Sequence, residues 1–332
     1  MTAVARSALP ALSALPVLPI LPALSELAEF VQAHPRLFVL TGAGVSTGSG
    51  IPGYRDVHGE WQRQQPITHQ EFTANETARN RYWARSMIGF GVMATAAANA
   101  AHRALAHLEQ AGRIEQLVTQ NVDGLHQRAG SANVIELHGG IRQVVCLDCQ
   151  ALSARSALQT RLEMANPAYQ ALRAATAPDG DADLDDVDFA AFDVPVCDAC
   201  GGMLKPDVVF FGASVPRARA DAAMAAMLRA DAVVVAGSSL MVRSGYRFCE
   251  AAHAAGKPIA AINFGRTRAD ALLTLKIESD CATALAAVAD TFALSQVTGK
   301  RAGCPSSRSS CAGSNSSSRP SSHSAAEPAT AQ

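Results

Sequence analysis

The sequence predicts an α/β fold, a Rossmann-like doubly wound parallel sheet carrying a small four-cysteine zinc-binding module and a helical flap. Three observations predict it: short apolar runs that end abruptly in glycine or small polar residues, helical stretches between them, and two Cys-x-x-Cys pairs outside that alternation. The runs lie at 37–40, 116–119, 134–137, 207–211, 232–236 and 258–262. Apolarity without alternation fits strands covered on both faces. The stretches at 96–111, stopping at Gly112, and at 218–230 are Ala-rich and read as helices. Strands alternating with helices give a sheet whose ligands bind beyond the strands' carboxyl ends.

Bulk properties bound the rest. With 48% hydrophobic and 17% charged residues, the 332-residue chain has apolar surface for one large domain and a smaller module. A formal net charge of -1 supplies no long-range field toward nucleic acid or anionic lipid, and no apolar run is long enough to span a bilayer. Neither nucleic acid nor membrane is therefore an expected partner. Residues 1–24 carry four Leu-Pro steps and no acid, which reads as a disordered leader rather than an import helix. Residues 296–332, rich in Ser, Pro and Gly, read as a disordered tail. Between them, 25–295 is the expected folded domain. Two segments interrupt its sheet: 55–95, with Trp61, Phe72, Tyr82 and Trp83, is expected as the flap, and 139–205 as the metal module.

The first run leads into Gly42-Ala43-Gly44-Val45-Ser46, a turn that brings backbone N–H groups close to a diphosphate. The third glycine of the dinucleotide fingerprint is replaced by Thr47, and Pro52 forbids a long helix, so an ordinary dehydrogenase unit is disfavoured. The second run ends in Gln120-Asn121-Val122-Asp123 and the third in His138-Gly139. An amide, a carboxylate and an imidazole beyond neighbouring strands form a candidate catalytic set, with His138 suited to accept a hydroxyl proton near its ordinary pKa of about 6.5. His102 and His126 lie in helical contexts and are expected to be structural. Gly237-Ser238-Ser239 and Asn263-Phe264-Gly265, after later runs, leave room and donors for a nucleotide.

Cys146 and Cys149, then Cys197 and Cys200, carry the strongest chemical signal: two knuckles that place four thiolates about one Zn²⁺. Four protein ligands leave no open position, so the zinc is expected to be structural, and free thiols of this spacing imply a reducing compartment. Alternating Asp residues at 178–186 do not fit a calcium loop, since counting from Asp181 puts Asp186 where glycine is needed and Phe192 where glutamate is needed. They read as a solvated acidic loop.

Taken together these motifs resemble the sirtuin family: Gly42-Ala43-Gly44-x-Ser46 through Ile51-Pro52-x-Tyr54-Arg55, Thr119-Gln120-Asn121-Val122-Asp123-Gly124-Leu125-His126, Leu137-His138-Gly139, both knuckles, Lys205-Pro206-Asp207-Val208-Val209-Phe210-Phe211-Gly212, and Gly237-Ser238-Ser239. The resemblance implies an NAD-dependent protein-lysine deacylase that yields nicotinamide, O-acyl-ADP-ribose and free lysine. It assigns His138 as general base, with Asn121 and Asp123 in the catalytic set. It places NAD against Gly42, Ala43, Gly44, Ser46, Pro52, Tyr54, Arg55, Gln120, Asn121, Val122, Asp123, Gly237, Ser238, Ser239, Asn263, Phe264, Gly265 and Cys281. Val208, Val209, Phe210, Phe211 and Gly212 are implied to pair with the acyl-lysine peptide along a strand edge. Ala213 departs from the acidic residue the family usually has there. Arg81-Tyr82-Trp83-Ala84-Arg85 is similar to the class II branch, with its bulky-acyl preferences, and Tyr82-x-x-Arg85 to a carboxylate-gripping pair; a plain helix surface explains the same residues. The alternatives within this reading are mono-ADP-ribosyl transfer from the same NAD site and a non-catalytic NAD-binding module. A bacterial cytoplasm is the expected location, with a mitochondrial matrix as the alternative.

Overall fold

A computed structural model describes residues 20–62, 66–172 and 187–301, with side chains described for 22–62, 66–172 and 187–292. The expected leader up to residue 19, the tail from 302 and the acidic loop at 178–186 lie outside the described residues. Helix α1 (Ile20–Ala33) begins inside the stretch read as leader. Pro22 sits in its first turn, where backbone N–H groups have no intrahelical partner to lose, so the proline does not bar a helix start. Strand β1 (Leu37–Thr41) is buried throughout and runs into a 3-10 turn, Ala43–Ser49. Helices α2 (His69–Ala74) and α3 (Glu76–Thr95) are capped by Thr68 and Asn75, whose side chains accept from Glu71 N and Ala78 N. Helix α4 (Ala100–Gln110) starts four residues later than its alanines suggest, because the Asn99 side chain caps it.

Beyond it come β2 (Ile114–Thr119), the short α5 (Leu125–Arg128), β3 (Val134–Glu136), β4 (Gly139–Cys146), β5 (Leu152–Ala154), α6 (Arg155–Ala165) and β6 (Leu204–Val208). The chain continues with α7 (Arg217–Arg229), β7 (Ala232–Ala236), α8 (Arg243–Ala254), β8 (Ile259–Ile262), β9 (Leu275–Ile277) and α9 (Cys281–Arg301). Residues up to Leu294 belong to one compact unit; of the second, from Ser295, only the end of α9 is described.

Six parallel strands form the main sheet in the order β3-β2-β1-β7-β8-β9. The order reverses direction between β1 and β7, which is the switch point where such sheets open a crevice for ligand. Residues of β1 alternate between two cores. Leu37 and Val39 face a cluster with Leu27 of α1, Leu105 of α4 and Leu285 of α9, while Phe38 and Leu40 face one with Met227 of α7 and Phe248 of α8. Burial on both faces is why this strand reads as unbroken apolarity. At a cost of about 2–5 kcal/mol for truncating one such buried leucine, these two cores hold the frame that aims the strand ends.

Two expectations are corrected here. The run at 207–211 is not a strand of the parallel sheet: β6 ends at Val208 and pairs antiparallel with β4 in a separate sheet of order β5-β4-β6. Phe210 is apolar because it packs against the rings of Phe72 and Tyr82, not because it lies in a two-faced sheet. The sixth parallel strand is β9, three residues with Lys276 at the centre, too short and too polar to register as an apolar run. The flap and the metal module also share a core, in which Phe72, Tyr82 and Trp83 from α2 and α3 meet Leu158, Leu162, Leu204 and Cys146. Trp83 Nε1 donates to the Leu204 carbonyl at 3.3 Å, tying helix to strand.

Candidate active site

A cavity of about 750 Å³ opens at the carboxyl ends of β1, β2, β7 and β8, within the size range of small-molecule and cofactor sites. Backbone contact makes its floor. Gly42 N donates to Ala236 O at 3.1 Å and Gly44 N to Gly237 O at 2.8 Å, so the turn after β1 lies directly on the turn after β7. Gly237 has φ +64, and a Cβ there would stand 2.3 Å from Val45 N; a side chain at this position would force the two turns apart.

Amide side chains lock the strand ends together. Gln120 Nε2 donates to Ser238 Oγ at 2.8 Å, and Asn121 Nδ2 donates to Gly42 O at 3.1 Å and Ser46 Oγ at 3.0 Å. Ser46 in turn donates to Asp123 Oδ2 at 2.7 Å, while Asp123 Oδ1 accepts from Leu125 N at 2.9 Å. His102 Nδ1 accepts from Asn99 N, which leaves the proton on Nε2, 3.4 Å from Ser46 Oγ. His126 lies 2.9 Å from Thr41 Oγ1. Burial lowers the pKa of His102 to about 4 and of His126 to about 3, so both are neutral packing groups behind the wall.

His138 faces the cavity. Its Nδ1 lies 3.0 Å from the Gln120 carbonyl, which can only accept, so the proton sits on Nδ1; Nε2 accepts from the Ser244 hydroxyl at 2.8 Å. Burial, which outweighs the carbonyl hydrogen bond, pushes its pKa down to about 4, with the guanidiniums of Arg219 and Arg247 acting in the same direction. The near-neutral pKa expected of this imidazole is thereby corrected: it is a weaker base, held in one tautomer and unprotonated throughout the physiological range. Gly139, next in sequence, has φ +81, and a Cβ there would stand 2.0 Å from Asp207 O, so glycine lets the start of β4 lie against the end of β6. Val209 N donates to His138 O at 2.8 Å and Phe211 O accepts from His69 N at 2.8 Å, fixing that segment between sheet and flap. Lys205 Nζ donates to the Pro206 and Val208 carbonyls and lies 4.3 Å over the Phe210 ring; burial lowers its pKa to about 8.

The expected residues sort by position. Gly42 to Gly44, Tyr54, Arg55, Gln120 to Val122, His138, Val208 to Gly212, Gly237 to Ser239, Asn263, Phe264 and Cys281 all line the cavity. Ser46, Pro52, Asp123 and Gly265 are absent from the wall: Ser46 and Asp123 form the layer behind it, and Gly265 packs on the Val57 backbone. Arg55 lies 4.0 Å over Trp61 and donates to Gly59 O at 2.7 Å, so it holds the loop above the cavity closed on itself. Cys281 is buried with its thiol pKa pushed up to about 12 by burial, so it stays protonated and acts as wall. Of the pair Tyr82 and Arg85, only Tyr82 reaches the cavity. Sequence reasoning missed Ser244 and Arg247, both cavity residues on α8, because nothing local marks them as other than helix surface.

The pattern of the Sir2 family matches residues 42–244, which span both glycine turns, His138 and the cysteine pairs. The chain belongs to the Sir2 family. This sirtuin is 59% identical over 258 residues to a protein of Xanthomonas axonopodis pv. citri named NAD-dependent protein deacetylase, covering 78% of this chain and 88% of the relative. It is 56% identical over 259 residues to one of the same name from Bordetella pertussis, covering 78% and 94%. A solved complex of Sir2 with a p53 peptide and NAD+ superposes with a TM-score of 0.66 at 30% identity, covering 82% of this chain and 99% of that one. A Sir2 structure bound to a propionylated peptide does so at 0.62 and 29%, covering 83% and 98%.

The sirtuin's four knuckle cysteines bring their sulfur atoms within 4.8 Å of one another, with Cys146 and Cys200 at 3.6 Å and Cys149 and Cys197 at 3.8 Å. Zn–S bonds of about 2.3 Å in a tetrahedron put sulfur atoms about 3.8 Å apart, so this set fits a zinc ion. None of the four lines the cavity, which leaves zinc the task of stapling β4 to the second knuckle. Among the described residues no helix is long and apolar enough to cross a membrane.

Proposed function

We infer that this chain is an NAD-dependent protein-lysine deacylase whose chemistry centres on His138. The observation that carries the reading is the neutral His138 imidazole, its tautomer set by the Gln120 carbonyl and its Nε2 bonded to the Ser244 hydroxyl, with both residues lining a cavity at the switch point of a dinucleotide-type sheet. When bound, NAD supplies the ribose carbon that takes the acyl oxygen as nicotinamide leaves, and so carries the acyl group away.

The chain's own residues then have distinct tasks. The turn at Gly42 to Gly44, whose Gly42 and Gly44 N–H groups are held by the Ala236 and Gly237 carbonyls, and the small residues Gly237, Ser238 and Ser239 make room for the phosphates, with Arg55 and Tyr54 in the covering loop, Gln120 and Val122 on the neighbouring wall, and Asn263, Phe264 and Cys281 around the adenosine half. Asn121 presents its amide toward the nicotinamide end, and Asp123 acts through Ser46 to keep Asn121 in place. Val208 to Gly212 offer backbone to an extended acyl-lysine peptide, a mode that tolerates varied sequence, and Phe210 and Phe211 keep water from the reacting carbon. His138 Nε2 takes the proton of a ribose hydroxyl once that hydroxyl replaces Ser244 as its partner. We place the protein in the class II-like branch on residues 81–85, and in the bacterial cytoplasm because its relatives are bacterial and its thiolate site requires a reducing compartment.

The test is nicotinamide release from NAD with peptides carrying acetyl-, butyryl- and lipoyl-lysine and with unmodified peptide. Release that requires an acyl group, lost by at least 100-fold in His138→Tyr with zinc content and melting temperature unchanged, is the expected result. Equal release without acyl-lysine identifies ADP-ribosyl transfer instead, and no release identifies a binding module.

A further inference from the structure

The segment that follows β6 lines the cavity, yet the ladder leading into it is broken. Pro206 pairs with Val144 and Val208 with Gly139, so β4 runs from Val144 to Gly139 while β6 runs only from Pro206 to Val208. A break of this kind bends a strand and takes backbone groups out of the regular pattern. Pro206, moreover, has no N–H to offer. The carbonyls of Pro206 and Val208, which flank the break, both go to one group: the ammonium of Lys205, 3.0 Å from Pro206 O.

Lys205 is an unusual place for a charge. It is 6% exposed, and no carboxylate among the described residues forms an ion pair with it, Asp207 acting only by longer-range attraction. Its donors meet the two carbonyls, and its charge lies 4.3 Å over the ring of Phe210, whose face attracts a cation. All of these partners follow it in the chain, so the side chain folds back along its own strand. Burying a charge costs free energy that an apolar side chain of the same length would not incur. What the charge supplies in return is a fixed backbone course from Pro206 to Phe210.

Downstream, the segment is held by other elements. Val209 N donates to His138 O and His69 N to Phe211 O, each at 2.8 Å, and Gln70 Nε2 donates to Gly212 O at 3.1 Å. Lys205 is thus the tie at its start. Under the deacylase reading, on which this inference rests, Val208 to Gly212 offer their backbone to the acyl-lysine peptide, and backbone pairing weakens steeply as distance and angle drift. We propose that Lys205 is a positioning residue for the peptide: by holding the Pro206 and Val208 carbonyls, its ammonium sets the backbone with which the peptide pairs, and so governs peptide affinity without touching NAD. Because it acts through main chain, its effect does not depend on peptide sequence.

The experiment measures nicotinamide release with NAD and acetyl-lysine peptide varied in turn, for two peptides of unrelated sequence, together with calorimetric titration of each peptide without NAD. Lys205→Met keeps the length and removes the charge. It is expected to raise KM and Kd for both peptides by about 10-fold, the range of a lost charge-assisted hydrogen bond, with KM for NAD within about twofold and zinc content unchanged. Lys205→Arg, whose guanidinium can donate to carbonyls and stack on a ring, is expected to restore peptide affinity to within about threefold. If Lys205→Met does not fold, Lys205→Gln takes its place. Peptide affinity within about twofold of the unsubstituted enzyme in the folded variant overturns this inference alone. So do equal rises in the two KM values, a loss confined to one peptide, or a loss that Lys205→Arg leaves uncorrected, each of which marks the side chain as general scaffold. No acyl-dependent release from the unsubstituted enzyme overturns the deacylase reading and this inference with it.

Discussion

The main sheet and the cysteine module reach stability by opposite routes. In the sheet, β1 and β7 are buried along their whole length and each face has its own apolar core. In the module, β5 is exposed along its length, and the sheet has three strands. Its shared aromatic core with α2 and α3 covers one side; at the other, the two cysteine turns are joined by hydrogen bonds such as Leu147 N to Met203 O at 2.8 Å and bring together four thiols that fit a metal ion. The lesson is that the catalytic end of the strands rests on hydrophobic burial from both faces, whereas the module, which the segment from Val208 to Gly212 leaves directly, has an apolar core on one side and a set of four thiols at the other.

Removing the metal breaks the comparison most severely. Cys197→Ser or exhaustive chelation is expected to cost a large part of the roughly 10 kcal/mol or more that a structural zinc supplies. Limited proteolysis should then cut first around the knuckles and β5, with the main sheet protected longer; simultaneous cutting of both regions would show that they are one cooperative unit.

Acid acts on the sheet side, where the imidazoles of His102 and His126 are buried and that of His138 is half-buried. His102, His126 and His138 have pKa values lowered to about 4, 3 and 4, while in the unfolded chain each titrates near 6.5. The unfolded state therefore binds more protons below pH 6.5, so stability is fully present above that value and is lost as pH falls toward 4. Each group contributes at most about 1.4 kcal/mol per pH unit in that window, so denaturant melts at pH 6.5 and pH 5 should differ by up to about 6 kcal/mol. Replacing His126 with a neutral isostere such as Gln should flatten the slope by about a third. A flat profile from pH 6.5 to 5 would mean that these rings are hydrated in solution.

Ser244 gives the smallest and sharpest test. Its hydroxyl donates to Nε2 of His138 and so stabilises the neutral ring. Ser244→Ala is expected to move the acidic limb of kcat/KM upward, toward 6.5, by less than one pH unit while leaving zinc content unchanged. A limb that does not move would leave Ser244 as packing.

Most of the frame was legible because burial on both faces writes itself into contiguous residues: Phe38 with Leu40, and Val233 with Val235, announce their strands locally. The run at 207–211 was misplaced for the same reason, since Phe210 is buried by side chains of two distant helices and apolarity alone does not say by what. The glycine turns, His138 and the cysteine pairs were legible as motifs, because close approach, a proton acceptor and tetrahedral sulfur each restrict residue type.

By itself, then, the sequence determined the alternating α/β order, the four thiol ligands and the imidazole beyond β3, all of which follow from residue type and local spacing. Tertiary structure alone decided that the flap and the module share one core, that Asp123 stands behind the wall instead of on it, and that Ser244 holds the reactive nitrogen. Each depends on which atoms from remote segments come within hydrogen-bond distance, and on how much water is excluded when they do.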